Sequence, residues 1–394
     1  MSKFFRNIFS IIIAAAPALA VYNFLPGTNL AMALWMLFGL LFYITNSKRT
    51  IIWKDEFQLF MVVLLLTAVA SLYMMMSNIR WFDDTLMLHN LWSICVCFIP
   101  LVFWVGKLDV KVFVKATFVI GTVAALIIIW QRFSLMGTGS FFKNVFLPGF
   151  DLRRDVDNMS INRPSAFFSE PAHFSAFVLP IFYLSLIAKR YCLSAFFAFS
   201  ILCSGSTTGF VMLPILILYY LYGLKGKHRW LKLIAGFLFF LAGYLMIIHY
   251  FPQVILENID KIEAMQGGKD ASYNARTFDS LKYVKYLNSI QLIVGITLNQ
   301  LGGLLVSKGF FFGEKSGNYA NGIIYMFISY GAIGLLFLLR YLYKKWKTIP
   351  DSKGFLLIFI GILGSDQILF SSHFLYFAVF TIHANSIYTL IRRS

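Results

Sequence analysis

Long apolar runs alternate with short polar junctions along this chain, and the alternation predicts its elements. Twelve runs are expected to be helices: 7–25, 28–46, 57–76, 87–106, 112–134, 171–188, 191–204, 207–224, 230–251, 319–339, 354–371 and 373–390. A hydrocarbon core of about 30 Å needs about 20 apolar residues per helix. Backbone groups in lipid must bond internally, which leaves helices or closed barrels. The runs are continuous rather than alternating ten-residue segments, and that selects helices. The expected fold is therefore an all-α polytopic membrane protein, a single integral membrane domain over 1–394 with about 12 transmembrane helices. "CSGSTTG" (203–209) reads as a tight hairpin between spans seven and eight, because Gly, Ser and Thr favour turns.

Composition agrees with lipid as the solvent. Of 394 residues, 59% are hydrophobic and 13% charged, and mean hydropathy is +0.75. The net charge of +17 could suggest a nucleic-acid partner, but its placement excludes one. Every even-numbered junction is basic: Lys48, Arg49 and Lys54; Lys107, Lys111 and Lys115; Lys189 and Arg190; Lys225, Lys227, Arg229 and Lys232; Arg340, Lys344, Lys345, Lys347 and Lys353. Lys3 and Arg6 precede span one, and Arg392 and Arg393 end the chain. That side carries 21 basic residues against four acids (Asp55, Glu56, Asp109, Asp351), while the other carries 13 against 12. The positive-inside rule then puts both termini in the cytoplasm. The start, "MSKFFRNIFSIIIAAAPALA", imitates a signal peptide but is read as span one.

Two outer segments are long, about 136–170 and 252–318, and long loops in a compact protein are usually functional. Within the second, 275–290 is expected to be an interfacial amphipathic helix. Phe278, Leu281, Val284 and Leu287 form its apolar stripe, and Lys282 and Lys285 lie on another face. The run 290–306 is short and broken by Gly, so a re-entrant or interfacial segment is expected rather than a crossing. The four cysteines (95, 97, 192, 203) lie in spans and imply no disulfide framework. No Cys/His spacing suggests a metal, and no Walker or Rossmann pattern suggests a nucleotide cofactor.

The stretch "NRPSAFFSEPAHFSAF" (162–177) places Arg163, Glu170 and His173 at the lip of span six. A guanidinium suits a diphosphate, and a nearby carboxylate or imidazole can take a proton from a hydroxyl. Arg163 can equally pair with Glu170, with His173 reaching the interface. Asp366 is a carboxylate inside span eleven, which makes it functional by default or a partner for His373.

Four pieces, in order, carry a resemblance. "INRPSAFFSEPAHFSAFVLPIFYLSL" (161–186) resembles the Arg…Phe-x-Glu-Pro signature of Wzy-type O-antigen and exopolysaccharide polymerases. "CSGSTTGFVMLPILILYY" (203–220) is similar to their Ser-rich span, and "NARTFDSLKYVKYL" (274–287) to their second Arg-bearing periplasmic loop. "GNYANGIIYMFISYGAIGLLFLL" (317–339) is similar to their late span with an aromatic-Gly-x-x-Gly run. The chain departs from the pattern at Ala166, where the family often has Gly, and after Gly295, where a Gly-x-Gly is replaced by Gly295-Ile296-Thr297.

The resemblance implies a GT-C-like, metal-independent glycosyltransferase of the inner membrane, working on the periplasmic face without a cofactor. It would move a growing glycan from undecaprenyl diphosphate to a lipid-linked repeat unit, and a chain-length regulator would be a further partner. Arg163 and Arg276 would hold the diphosphate leaving group, with Glu170 or His173 as base. Arg153, Arg154, Tyr273, Lys282 and Lys285 would bind a second diphosphate or sugars, and Asn318, Tyr319 and Asn321 sugar hydroxyls. Other readings of these residues stay open: an Arg276–Asp279 ion pair, Arg153 and Arg154 facing water among Asp151, Asp155 and Asp157, and Asn318 as a helix cap. An O-antigen ligase and a repeat-unit flippase are the alternatives.

The topology has a direct check. With the four native cysteines removed, Asn158→Cys should react with an impermeant maleimide in spheroplasts, and Lys227→Cys only after lysis. The opposite pattern would invert the orientation.

Overall fold

The computed structural model describes residues 2–25, 28–45, 54–140, 152, 164–223, 280–310, 320–348 and 353–393, with positions 234, 249, 252, 256, 259, 260 and 263 besides. The described residues are almost entirely helical. In order they form α1 (Ser2–Leu19), a small antiparallel pair β1 (Asn23–Leu25) and β2 (Thr28–Asn29), α2 (Leu30–Thr45), α3 (Lys54–Met76) and α4 (Thr85–Ile99). A π turn (Pro100–Trp104) and a 3-10 turn (Val105–Lys107) extend α4. Next come α5 (Val110–Thr138), α6 (Pro171–Ile187), α7 (Tyr191–Cys203), α8 (Thr207–Gly223), α9 (Ser280–Tyr283), α10 (Ser289–Val294) and α11 (Leu301–Ser307). The chain closes with α12 (Gly322–Thr348), α13 (Lys353–Ser365), α14 (Ser372–Ile382) and α15 (Ala384–Arg393).

Eleven of the twelve expected runs overlap helices, although the first (7–25) leaves its helix at Leu19 for the strand β1 and the last (373–390) is two helices; the ninth (230–251) lies almost wholly outside the described residues. Length narrows what can be said of crossing. Among the described residues, four helices are long and apolar enough to cross a membrane: α3, α4 with its extension, α5 and α12. The pair α14–α15, bent by 65°, makes a fifth if it is one span. Helices α2, α6, α7, α8 and α13 are apolar but shorter, at 10–17 residues. Span eleven was expected to reach 371 and stops at Ser365, because residues 366–371 turn, with Phe370 at φ 59°.

The helices are apolar on both faces, as a lipid-embedded bundle requires. On α3, Leu65 and Leu72 are 63% and 57% exposed, while Thr67 and Ser71 are buried. On α5, Val119, Val123, Leu126 and Trp130 form an exposed stripe at helical spacing, with Ala124, Ala125 and Ile128 buried. The interior is aromatic, and Phe113, Phe177, Tyr376 and Phe380 meet ring to ring.

Cations collect at one end of the bundle and are tied to the few acids there. Arg6 Nη2 lies 3.1 Å from Asp109, whose carboxylate caps α5. Lys344 Nζ lies 2.8 Å from Asp55. Lys345 Nζ lies 2.7 Å from Glu56, a carboxylate only 1% exposed that also accepts from the Tyr341 hydroxyl. Removing one member of such a buried pair costs about 3–5 kcal/mol, because the other charge is stranded. These contacts set α3 and α12 antiparallel and α1 and α5 parallel.

The segment 288–309 is a hairpin that enters and leaves by the opposite end. Asn288 and Gln291 form a reciprocal capping box that starts α10. Asn288 Nδ2 also donates to the Tyr73 hydroxyl, near the end of α3. On the return arm, Gln300 and the Asp83 backbone exchange two hydrogen bonds, of 3.1 and 2.7 Å. At the tip, Ile296 N–H and Thr297 N–H donate to the carbonyls of Ile328 and Ser329. Those carbonyls are available because α12 breaks at Gly331, at φ 63° and ψ −167°. Asn90 of α4 donates to Leu298 O at 2.7 Å and accepts from Asn299. The run 290–306, expected to be broken by Gly, is two short helices joined by a turn. The expected continuous helix over 275–290 is interrupted: 275–279 lie outside the described residues, a 3-10 turn ends at Tyr286, and the capping box starts a new helix. Of the apolar stripe, Leu281 is exposed and Val284 and Leu287 pack on the core, while Tyr283 and Tyr286 pack on Phe310.

Two glycines make the hairpin's approach possible. A Cβ on Gly295 would overlap the Ser329 carbonyl, and one on Gly331 would overlap the Ile293 carbonyl. Both also have positive φ. Gly295→Ala and Gly331→Ala should each lower stability in detergent by on the order of 3 kcal/mol. Gly302→Ala, where a Cβ meets open space, should change it by less than about 0.5 kcal/mol. Equal thermal shifts for all three would contradict the packing described.

Candidate functional site

The end of the bundle opposite the ion pairs gathers two histidines, a carboxylate and a hydroxyl. Helix α6 begins there, because Pro171 occupies its first turn, where a missing N–H costs nothing, and Glu170 stands before it in extended backbone. Ser169 and His173 flank that start. Ser169 Oγ is hydrogen-bonded to His173 Nδ1. On the other side of the ring, His173 Nε2 lies 3.2 Å from Asp366 Oδ2. The His373 ring, from the first turn of α14, lies against His173 with centroids 4.8 Å apart and planes at 35°. The His173 and Asp366 side chains are 25% and 15% exposed, so the pair is held by protein yet reachable from outside.

Asp366 is not inside a helix, as expected, but is the first residue after α13. Its position is fixed through its backbone: Asp366 N–H donates to Ile362 O at 2.8 Å, and Asp366 O accepts from Gly322 N at 3.1 Å. Its Oδ1 accepts from Gln367 N, which leaves Oδ2 toward the imidazole. The floor of the site is aromatic. Phe98, Tyr330, Phe370 and Phe374 have neighbouring centroids 5.7–6.2 Å apart, and Phe168 packs on Phe174 and Phe177.

A second polar layer comes from α5 and the α7–α8 turn. Gln131 and Arg132 are 1% and 2% exposed. Gln131 Oε1 accepts from the N–H of Ala166, a residue at φ 50°. Arg132 lies close enough to Cys203 to act electrostatically on its thiol. Ser204 Oγ lies 3.3 Å from Ser175 Oγ of α6, and Ser206 caps the start of α8 through Gly209 N–H. This is the tight turn expected from "CSGSTTG".

Of the twelve residues singled out from the sequence, the structure describes five. Glu170 and His173 are together at the start of α6. Asn321 is 6% exposed, and its Oδ1 caps α12 by accepting from Ile324 N. Lys282 is exposed on α9, and Lys285 sits over the Tyr286 ring at 5.0 Å. Arg153, Arg154, Arg163, Tyr273, Arg276, Asn318 and Tyr319 lie outside the described residues. Sequence reasoning passed over Ser169, Gln131 and Arg132. The signal for Arg132 was present, since an arginine inside an expected span (112–134) marks function by default.

No protein-family model matches the chain, and no curated protein matches it.

The left-handed backbone at Ala166 costs an L-residue about 1–2 kcal/mol that glycine avoids. Ala166→Gly is therefore expected to raise the unfolding free energy by about 1 kcal/mol, read as a higher Tm in detergent. A lower Tm would mean that packing of the Ala166 methyl outweighs the conformation.

Proposed function

We propose that the chain is a polysaccharide polymerase of the Wzy type. It is a multi-pass protein of a bacterial inner membrane, with both termini cytoplasmic and its active face periplasmic. It transfers a growing glycan from undecaprenyl diphosphate to a hydroxyl of a lipid-linked repeat unit. The observation that carries the reading is the imidazole–carboxylate pair His173–Asp366 at the lip of an apolar bundle, with His173 inside the stretch that resembles the polymerase signature. A proton acceptor at a lipid-facing rim is what a hydroxyl nucleophile on a membrane-anchored acceptor needs.

Two backbone details support the same reading. The positions where the chain departs from the polymerase pattern, Ala166 and Thr297, have φ of 50° and 66°. Glycine is the residue such positions favour, so the family's glycines and this backbone make the same demand.

In the mechanism, the acceptor hydroxyl displaces the diphosphate directly at the anomeric carbon, with inversion. Arg163 and Arg276 hold and neutralise the departing diphosphate, and Glu170 or His173 takes the proton. Fixed donors aimed at developing charge typically contribute about 2.7–4 kcal/mol each. An O-antigen ligase would use the same parts on a different acceptor. Repeat-unit transport draws on a specific feature, the broken α12 with its inserted hairpin, since interrupted helices line many transporter sites.

A deletion strain separates the three. Loss of a polymerase leaves single capped repeats, loss of a ligase leaves none on the core, and loss of a flippase stops export of the lipid-linked unit. Arg163→Ala and Arg276→Ala are expected to reproduce the single-repeat pattern in the polymerase case. Normal ladders with either would remove that residue from the mechanism.

A further inference from the structure

Two groups near the start of α6 could accept the proton in this reaction, Glu170 and His173, and the geometry separates them. His173 is hydrogen-bonded at Nδ1 to Ser169 Oγ, and on its other side Asp366 Oδ2 stands 3.2 Å from Nε2 as a charge partner. A carboxylate at Nε2 favours the tautomer with its proton there and leaves the Nδ1 lone pair for the Ser169 hydroxyl. The order Asp366–His173–Ser169 is then a proton relay ending in a hydroxyl. Glu170 offers a carboxylate in the extended backbone before the helix, whereas His173 sets an imidazole between a hydroxyl and a carboxylate.

The relay is rigid where it needs to be. His173 stands on the first turn of α6, and Asp366 is pinned by backbone bonds to α13 and α12. Asp366 also offsets two features that disfavour an imidazolium there: the positive end of α6 and the second imidazole of His373. Among the described residues, the other titratable groups at this end of the elements packed on α6 are Arg132 of α5, Cys203 of α7 and Glu170.

We propose that His173 is the proton acceptor of the transfer, that Ser169 is its relay to the acceptor hydroxyl, and that Asp366 is its positioning residue. The proposal rests on the polymerase reading. In the step, the acceptor oxygen forms its bond to the anomeric carbon as the bond from that carbon to the diphosphate oxygen breaks. The diphosphate leaves with the bonding pair. The acceptor's proton passes to Ser169 Oγ while the Ser169 proton passes to His173 Nδ1, and the imidazolium faces the Asp366 carboxylate. Release of that proton to water restores the site.

The test uses the full chain in lipid nanodiscs, with a lipid-diphosphate-linked repeat unit as substrate and elongation followed against pH. Wild-type kcat should rise with pH through one ionisation in the imidazole range. His173→Gln should lower kcat by about 10²–10⁴-fold, leave KM within about twofold and abolish that ionisation. Ser169→Ala should lower kcat and keep the ionisation. Asp366→Asn should lower kcat and move the ionisation to lower pH, because the imidazolium loses its counter-charge, and Asp366→Glu should restore it. Carbethoxylation of His173, read by mass spectrometry on the same samples, follows the ring without using activity and should show the same shift. If His173→Gln elongates within about threefold of wild type, or Asp366→Asn leaves both profiles unmoved, the relay is overturned while the polymerase reading stands. If the wild type elongates nothing, both fall.

Discussion

An apolar surrounding offers nothing to an unpaired backbone group, so a helix that breaks inside a bundle must find partners for what the break frees. In this chain α12 breaks at Gly331, and the carbonyls of Ile328 and Ser329 are met by the N–H groups of Ile296 and Thr297. That exchange brings two backbones together at Gly295 and Gly331, where no side chain fits. It also fixes the first turns of α12, and Gly322 in those turns holds the Asp366 carbonyl. The site thus depends on the hairpin through a short series of contacts: hydrogen bonds from hairpin to α12 and from α12 to Asp366, and the charge contact of Asp366 with His173.

The two ends of the bundle use polar residues differently. At the basic end, Arg6, Lys344 and Lys345 are matched to Asp109, Asp55 and Glu56, and these pairs join α1 to α5 and α3 to α12. At the other end the polar groups surround an imidazole with a hydroxyl, a carboxylate and a second imidazole, over an aromatic floor. A partly exposed group flanked by proton donors and acceptors is suited to exchanging a proton with a bound molecule, in a way that a structural ion pair joining two helices is not.

Much of the helical frame was legible from hydropathy, because an apolar run in lipid has few structures open to it. The hairpin from Cys203 to Gly209 followed from turn chemistry, and Glu170 and His173 were placed together by their position before a helix. Other features were hidden for physical reasons. The approach of Asp366 to His173 joins residues far apart in sequence, and spacing cannot report it. The hydropathy of 354–371 concealed a turn, since Ile368, Leu369 and Phe370 are apolar whether or not they are helical. The stripe assigned to 275–290 assumed one helix, whereas the Asn288–Gln291 cap begins a second. Arg132 was visible as a charge within an apolar run, but its burial beside the turn after α7 depends on packing that no local pattern encodes.

The central claim is that the His173 end of the bundle binds a lipid diphosphate between Arg163 and Arg276. The most direct measurement is an electron cryomicroscopy structure of the full chain with undecaprenyl diphosphate. The account predicts both phosphates bonded to those two guanidinium groups, with His173 and Ser169 facing the bond to be broken. Phosphates seated at the opposite end, among Arg340, Lys344 and Lys345, would contradict it.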